Sequence, residues 1–119
     1  MNQHEKINYV ELPAKDMQKA KTFFSRAFDW EFEDYGPNYT AFSNQGLDGG
    51  FFKSEQCTST TNGSALIVFY SADINSTLSK VTTAGGNIIK PIFSFPGGRR
   101  FHFSDPNGNE YAVWAHPAE

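Results

Sequence analysis

A carboxylate at Glu11, a histidine at His102 and an arginine at Arg100 are the residues whose types and placement best suit acid–base chemistry. Glu11 sits inside Ile7 to Leu12, a short alternating run that reads as a strand stopped by Pro13. A carboxylate in such a strand, facing a cleft, costs free energy unless it is paired or hydrated. In the catalytic reading Glu11 is the base, His102 the acid, and Arg100 steadies a developing oxyanion. In the structural reading Glu11 is one half of an ion pair, or a solvated carboxylate on a rim. His102 is then a packed, hydrogen-bonded strand histidine.

Tyr9, Tyr39, Tyr70 and Trp114 supply rings that either stack on a planar ligand or fill the core. Arg99 and Arg100 are adjacent, so alternation points them opposite ways and leaves Arg100 for the cleft. A mostly aromatic surface with a few convergent polar groups is the usual composition of a small-molecule site.

Other chemistries find little support. The single cysteine, Cys57, cannot form an internal disulfide, and its polar surroundings hold no fixed base. It reads as an incidental loop thiol in a cytoplasmic protein. His4 and His116 lie near the termini and read as solvated. A net charge of −3 gives no electrostatic footprint for nucleic acid or an anionic membrane. No glycine-rich stretch follows a strand and opens a helix, as a phosphate cradle does. The first residues lack an apolar signal region, and no apolar run is long enough to span a bilayer.

The elements that must position these residues fall into two similar halves. In the first, Asp16 is the expected N-cap of a helix over about 17–28, with Met17, Ala20, Phe23, Phe24 and Ala27 on one face. Strands are expected at Trp30–Glu33 and Tyr39–Ser43, followed by a glycine-rich turn from Asn44 to Gly50 that runs into Phe51 and Phe52. In the second half a strand at Ala65–Tyr70 precedes the cap Asp73, and Ile74, Leu78 and Val81 form the helical face. Gly85 and Gly86 end that helix. Strands then follow at Asn87–Lys90, Arg99–Ser104 and Glu110–Ala115. An offset of 57 residues superposes the two caps, which indicates an internal βαβββ duplication. The expected organisation is one domain over 1–119: module one about 5–53, a linker about 54–64, and module two about 65–117. Alternation sends Ile7, Tyr9, Glu11, Tyr39 and Ala41 to the cleft from module one. From module two it sends Leu66, Val68, Tyr70, Arg100, His102, Glu110, Ala112 and Trp114.

Two stretches match something known. Tyr9 to Met17, continuing through Ala20 to Phe32, resembles the opening strand and helix of the glyoxalase/bleomycin-resistance/extradiol-dioxygenase (vicinal-oxygen-chelate) superfamily. Arg100 to Trp114, with Asp105-Pro106-Asn107-Gly108, resembles its closing hairpin. The likeness covers about residues 7–115 and looks closest to the branch of predicted enzymes related to lactoylglutathione lyase. It implies an α+β fold, with two βαβββ modules forming a curved, mostly antiparallel sheet around a cleft. It also implies a homodimer, in some members with exchanged modules.

The metal ligands of the superfamily's enzymes carry over onto Tyr9, Leu66, a position near Phe51, and Ala112. That set cannot hold a divalent ion, so no metal and no cofactor are expected. The resulting expectation is a protein that binds a small organic molecule in a metal-free cleft, with lyase or isomerase chemistry as one branch. The other branch is a resistance-type protein that sequesters a drug or metabolite without catalysis.

Overall fold

Asp16 and Asp73 both cap helices, as their positions predict. The Asp16 carboxylate accepts from the Lys19 amide and opens α1, Met17–Phe28. The Asp73 carboxylate accepts from the Ser76 amide and opens α2, Ile74–Thr83. In each case a side-chain oxygen satisfies an N–H that the first turn leaves without a partner. The structure, a computed structural model, describes residues 2–118.

Around α1 lie β1 (Tyr9–Ala14), β2 (Phe32–Asp34), β3 (Tyr39–Phe42) and β4 (Asp48–Lys53). They form one sheet in the order β1-β4-β3-β2. Around α2 lie β5 (Ile67–Tyr70), β6 (Asn87–Phe95), β7 (Gly98–Ser104) and β8 (Glu110–Ala115), in the order β5-β8-β7-β6. The β1–β4 and β5–β8 pairs are parallel and the other pairs antiparallel. This is the α+β architecture of two βαβββ units expected from the sequence.

Several strand limits differ from the sequence reading, each for a local reason. β1 runs through Pro13 instead of stopping there. It is an edge strand paired, among the described residues, with β4 alone, so the missing proline N–H falls where no ladder bond is needed. β6 runs through Pro91 for the same reason, and Pro91 lies inside a register irregularity between Lys90 and Phe93. Gly49 and Gly50 belong to β4 and not to a turn. Trp30 precedes β2 and is buried, and Leu66 precedes β5.

One aromatic core joins the halves. Phe24 of α1 is fully buried and meets Trp30 and Phe51 on one side and Tyr111 of β8 on the other. Phe23 reaches Phe103, and Phe28 stacks on Phe69 at a centroid distance of 4.7 Å. Leu12, Phe42 and Phe51 of the first sheet and Phe101, Phe103, Tyr111 and Val113 of the second all belong to this cluster. Each sheet therefore turns its helix-bearing face toward the shared core, and alternation turns the other face outward. We call these outward surfaces the open faces.

The Asp105-Pro106-Asn107-Gly108 turn is structural, and it also locks the halves together. Asp105 is buried, accepts from the Asn107 and Asn109 amides, and takes the Tyr111 hydroxyl at 2.7 Å. Burial pushes its carboxyl up against the opposing pull of the Tyr111 hydroxyl and the turn amides. Asn109 donates to the Pro13 carbonyl at 2.7 Å, and Asn107 bonds both the amide and the carbonyl of Asp16. Replacing Phe24 with Ala should cost about 3–5 kcal/mol, since a ring contacting both sheets leaves a cavity that neither can close. Chemical denaturation of the two proteins measures this.

Candidate functional site

On the open face of the first sheet, Tyr9, Glu11 and Tyr39 form a hydrogen-bonded chain. Register sets Glu11 beside Gly50 and Tyr39 beside Phe52, so Tyr39 must lean diagonally across β4 to reach Glu11. Gly50 makes this possible, because a Cβ there would collide with the Tyr39 ring and hydroxyl. The Tyr39 hydroxyl donates to the Glu11 carboxylate at 3.0 Å. That uses its single proton, so the Tyr9 hydroxyl is the donor in the 2.6 Å bond between the two phenols. Both protons thus point toward Glu11, and the chain presents oxygen lone pairs outward. Burial and the Glu11 carboxylate push the Tyr39 phenol well above its ordinary range.

Beside the chain is an open depression of about 490 Å³ lined by Tyr9, Glu31, Glu33, Tyr35, Ala41 and Asp48, with Phe32 and Phe42 behind. Among the described residues no lysine or arginine lines it. Glu33, by its charge and then by its hydrogen bond, raises the Tyr35 phenol.

The open face of the second sheet has a different character. Tyr70 and Trp114 meet edge to face at 5.1 Å, and Arg100 is the cross-strand partner of both Trp114 and Phe93. The Arg100 guanidinium lies 5.7 Å over the Phe95 ring. Its Nε is buried without an acceptor, and no carboxylate pairs with it among the described residues.

His102 is 4% exposed, and its Nδ1 lies 2.8 Å from Glu110 Oε2. The other Glu110 oxygen accepts from the Thr60 amide at 2.8 Å and the Thr60 hydroxyl at 2.9 Å. Burial alone would raise the Glu110 carboxyl. The Thr60 amide, His102 and the Thr60 hydroxyl outweigh it and hold the carboxyl low.

The structure therefore brings Tyr9, Glu11 and Tyr39 together on one sheet, and Tyr70, Arg100, His102 and Trp114 on the other. It does not pair Glu11 with Arg100 or His102 within the chain: Glu11 is bonded to Tyr39, and His102 to Glu110. The core between the sheets keeps their open faces apart.

Sequence reasoning placed Glu110 on the correct face but did not pair it with His102. The available signal was the hairpin register, in which Ser104 faces Glu110 and His102 faces Ala112. Gly50 and Thr60 were missed outright. A glycine carries no side-chain signal, and Thr60 reaches Glu110 through a short 3-10 turn, Thr60–Asn62. Cys57 is exposed, as its surroundings suggest.

The positions corresponding to the superfamily's metal ligands do not fit a divalent ion. Ala112 and Leu66 have no donor atom, and the Tyr9 hydroxyl is already engaged with Tyr39. Phe51 points into the core, which leaves Gly50 as its open-face neighbour, with no side chain at all. Among the described residues no three His, Cys, Asp or Glu side chains converge.

Two substitutions test this geometry. Gly50→Ala should evict Tyr39 from Glu11, so one more tyrosine should titrate near the ordinary value of about 10. The near-ultraviolet absorbance of tyrosinate reads this out. Glu110 has a lower pKa in the fold than in the unfolded chain. Its stabilisation is therefore full above the ordinary carboxylate range and is lost as pH falls through the lowered value. Glu110→Gln should flatten that acid limb in melting curves taken from neutral pH downward.

The comparisons agree with this architecture. Residues 6–113 match the family described as the Glyoxalase/Bleomycin resistance protein/Dioxygenase superfamily. A glyoxylase-like domain-containing protein from Didymella fabae is 26% identical over 127 residues, covering 98% of each chain. Among solved structures, a glyoxalase-related enzyme from Fulvimarina pelagi superposes with a TM-score of 0.78 at 15% identity, covering 94% of this chain and 88% of its own. An antibiotic binding protein from Streptomyces sp. superposes with a TM-score of 0.69 at 16% identity, covering 94% and 96%. The duplicated βαβββ fold and a match across nearly the whole chain place this protein in the glyoxalase/bleomycin resistance/dioxygenase superfamily.

Proposed function

We propose that this protein binds a planar, cationic organic molecule against its open faces and acts by sequestering it, as a homodimer. The observation that carries this reading is the outward polarity of the first sheet. Tyr9 and Tyr39 direct their protons inward to Glu11, and Glu31, Glu33 and Asp48 line the adjoining depression without a cation among them. Such a surface accepts hydrogen bonds and offers ring faces, which suits an ammonium- or guanidinium-bearing aromatic. Tyr70 and Trp114 add ring area from the second sheet.

Turnover has less support than binding. An acid–base pair must reach its substrate, whereas His102 is buried and committed to Glu110. The antibiotic binding protein of similar fold lends weight to the same reading, although at 16% identity it speaks for the fold and not for the ligand.

Thermal melting with proflavine, a planar cation, and with fluorescein, a planar anion, tests the proposal. A ligand held only by the folded state stabilises it by about 2.7 kcal/mol at a hundredfold excess over its Kd. Proflavine should raise the melting temperature and fluorescein should not, and Glu11→Gln should shrink the proflavine shift. A shift with fluorescein alone, or with neither dye, would overturn the reading.

A further inference from the structure

A slot opens between the two sheets on the side that faces the shared core. Its volume is about 440 Å³, inside the roughly 300–1,000 Å³ common for small-molecule pockets. Leu12, Trp30, Phe42 and Tyr111 form its floor, each at most 7% exposed. The edge strands β1 and β5 supply its sides through Val10, Ile67 and Phe69, which pack toward the core. Leu47, Val68 and Tyr70 stand at its rim, 36%, 44% and 55% exposed. Among the described residues it shares Phe42 alone with the depression beside Glu33 and Asp48, so the two are separate sites.

The chemistry of the slot is the reverse of that depression. Among the described residues no charged side chain lines it. The Tyr111 hydroxyl is taken by Asp105, which leaves the ring for the slot. The one lining amide is Gln45, whose Nε2 donates to the Ser43 carbonyl at 3.2 Å and whose oxygen remains as an acceptor. Atoms around an apolar void lack dispersion partners on one side, and water finds few hydrogen bonds there. An apolar guest supplies those partners and takes its own surface out of water. Because the floor lies among core side chains, the guest must be small enough to pass between the sheets. The surface of another protein reaches only the rim.

We infer that the slot is a second binding site, for a small, neutral, mainly hydrocarbon molecule carrying one hydrogen-bond donor. The hydrocarbon part lies against Leu12, Trp30 and Phe42, and the donor meets the Gln45 oxygen. A charged group is excluded, since no lining side chain compensates for its loss of water. The inference goes beyond the proposed sequestration of cations and does not rest on it.

N-phenyl-1-naphthylamine, a neutral aromatic dye with one N–H, tests this, because its fluorescence rises on leaving water. The dye should bind saturably at one site per chain, and excess proflavine should not displace it. Val10→Trp fills the slot and should weaken the dye by about tenfold or more. Leu47→Glu sets a charge at the exposed rim and should weaken it too. This second variant keeps the test open if circular dichroism shows that Val10→Trp fails to fold. Sedimentation shows whether either variant changes the oligomeric state.

The absence of saturable binding, or unchanged affinity in the folded variants, would overturn the inference. So would displacement by proflavine, which puts the dye on the open faces. Loss of the dye in step with a change in sedimenting mass would do the same, because the slot is then a subunit contact. Dye binding without any proflavine melting shift supports the slot and defeats the cation reading. A proflavine shift without dye binding does the reverse.

Discussion

The rest of the structure depends on the aromatic wedge that α1 drives between the two sheets. Phe24 contacts Phe51 of one sheet and Tyr111 of the other, while Phe23 and Phe28 contact Phe103 and Phe69. A 119-residue chain buries only about two thirds of the surface its unfolded form exposes. Two separate modules, each with its own small core, would bury still less. Sharing one core raises the fraction, and with 12 phenylalanines there is enough ring area to fill it. The consequence is directional: each sheet commits its helix-bearing face to the shared core and turns the other outward.

Polar groups near the core serve this arrangement. Asn109 and Asn107 span the gap to Pro13 and Asp16, so the turn of module two grips the strand-to-helix junction of module one. Thr60 clamps Glu110, and Glu110 clamps His102, which fixes the segment between the modules against the start of β8. Buried polar groups stay stable when every member has a partner. The exceptions among the described residues are the Thr58 hydroxyl and the Nε atoms of Arg99 and Arg100, and Arg100 lies on a face that the chain leaves open.

Much of the fold was legible. The caps at Asp16 and Asp73, the 57-residue offset and the periodic Phe and Ala of α1 fixed the element order, because capping and amphipathic spacing are local properties. Strand ends were less legible. Pro13 and Pro91 lie inside strands because those strands are edges, and edge position is not a local property. In the candidate site, alternation assigned Tyr9, Glu11, Tyr39, Arg100, His102 and Trp114 to the correct faces, since the period of a strand is two whatever it pairs with. It could not name their partners, which depend on register and on neighbours such as Gly50 that leave room.

The sequence by itself determined the family, the duplicated βαβββ order and the residues that point away from the helices. These follow from spacing along the chain. Tertiary structure decided that Glu11 answers to Tyr39 and Tyr9, that His102 answers to Glu110, and that the two open faces look away from each other. Those outcomes depend on contacts between residues 8 to 30 positions apart and on how the two sheets pack. They were settled by which faces could bury the most aromatic surface together.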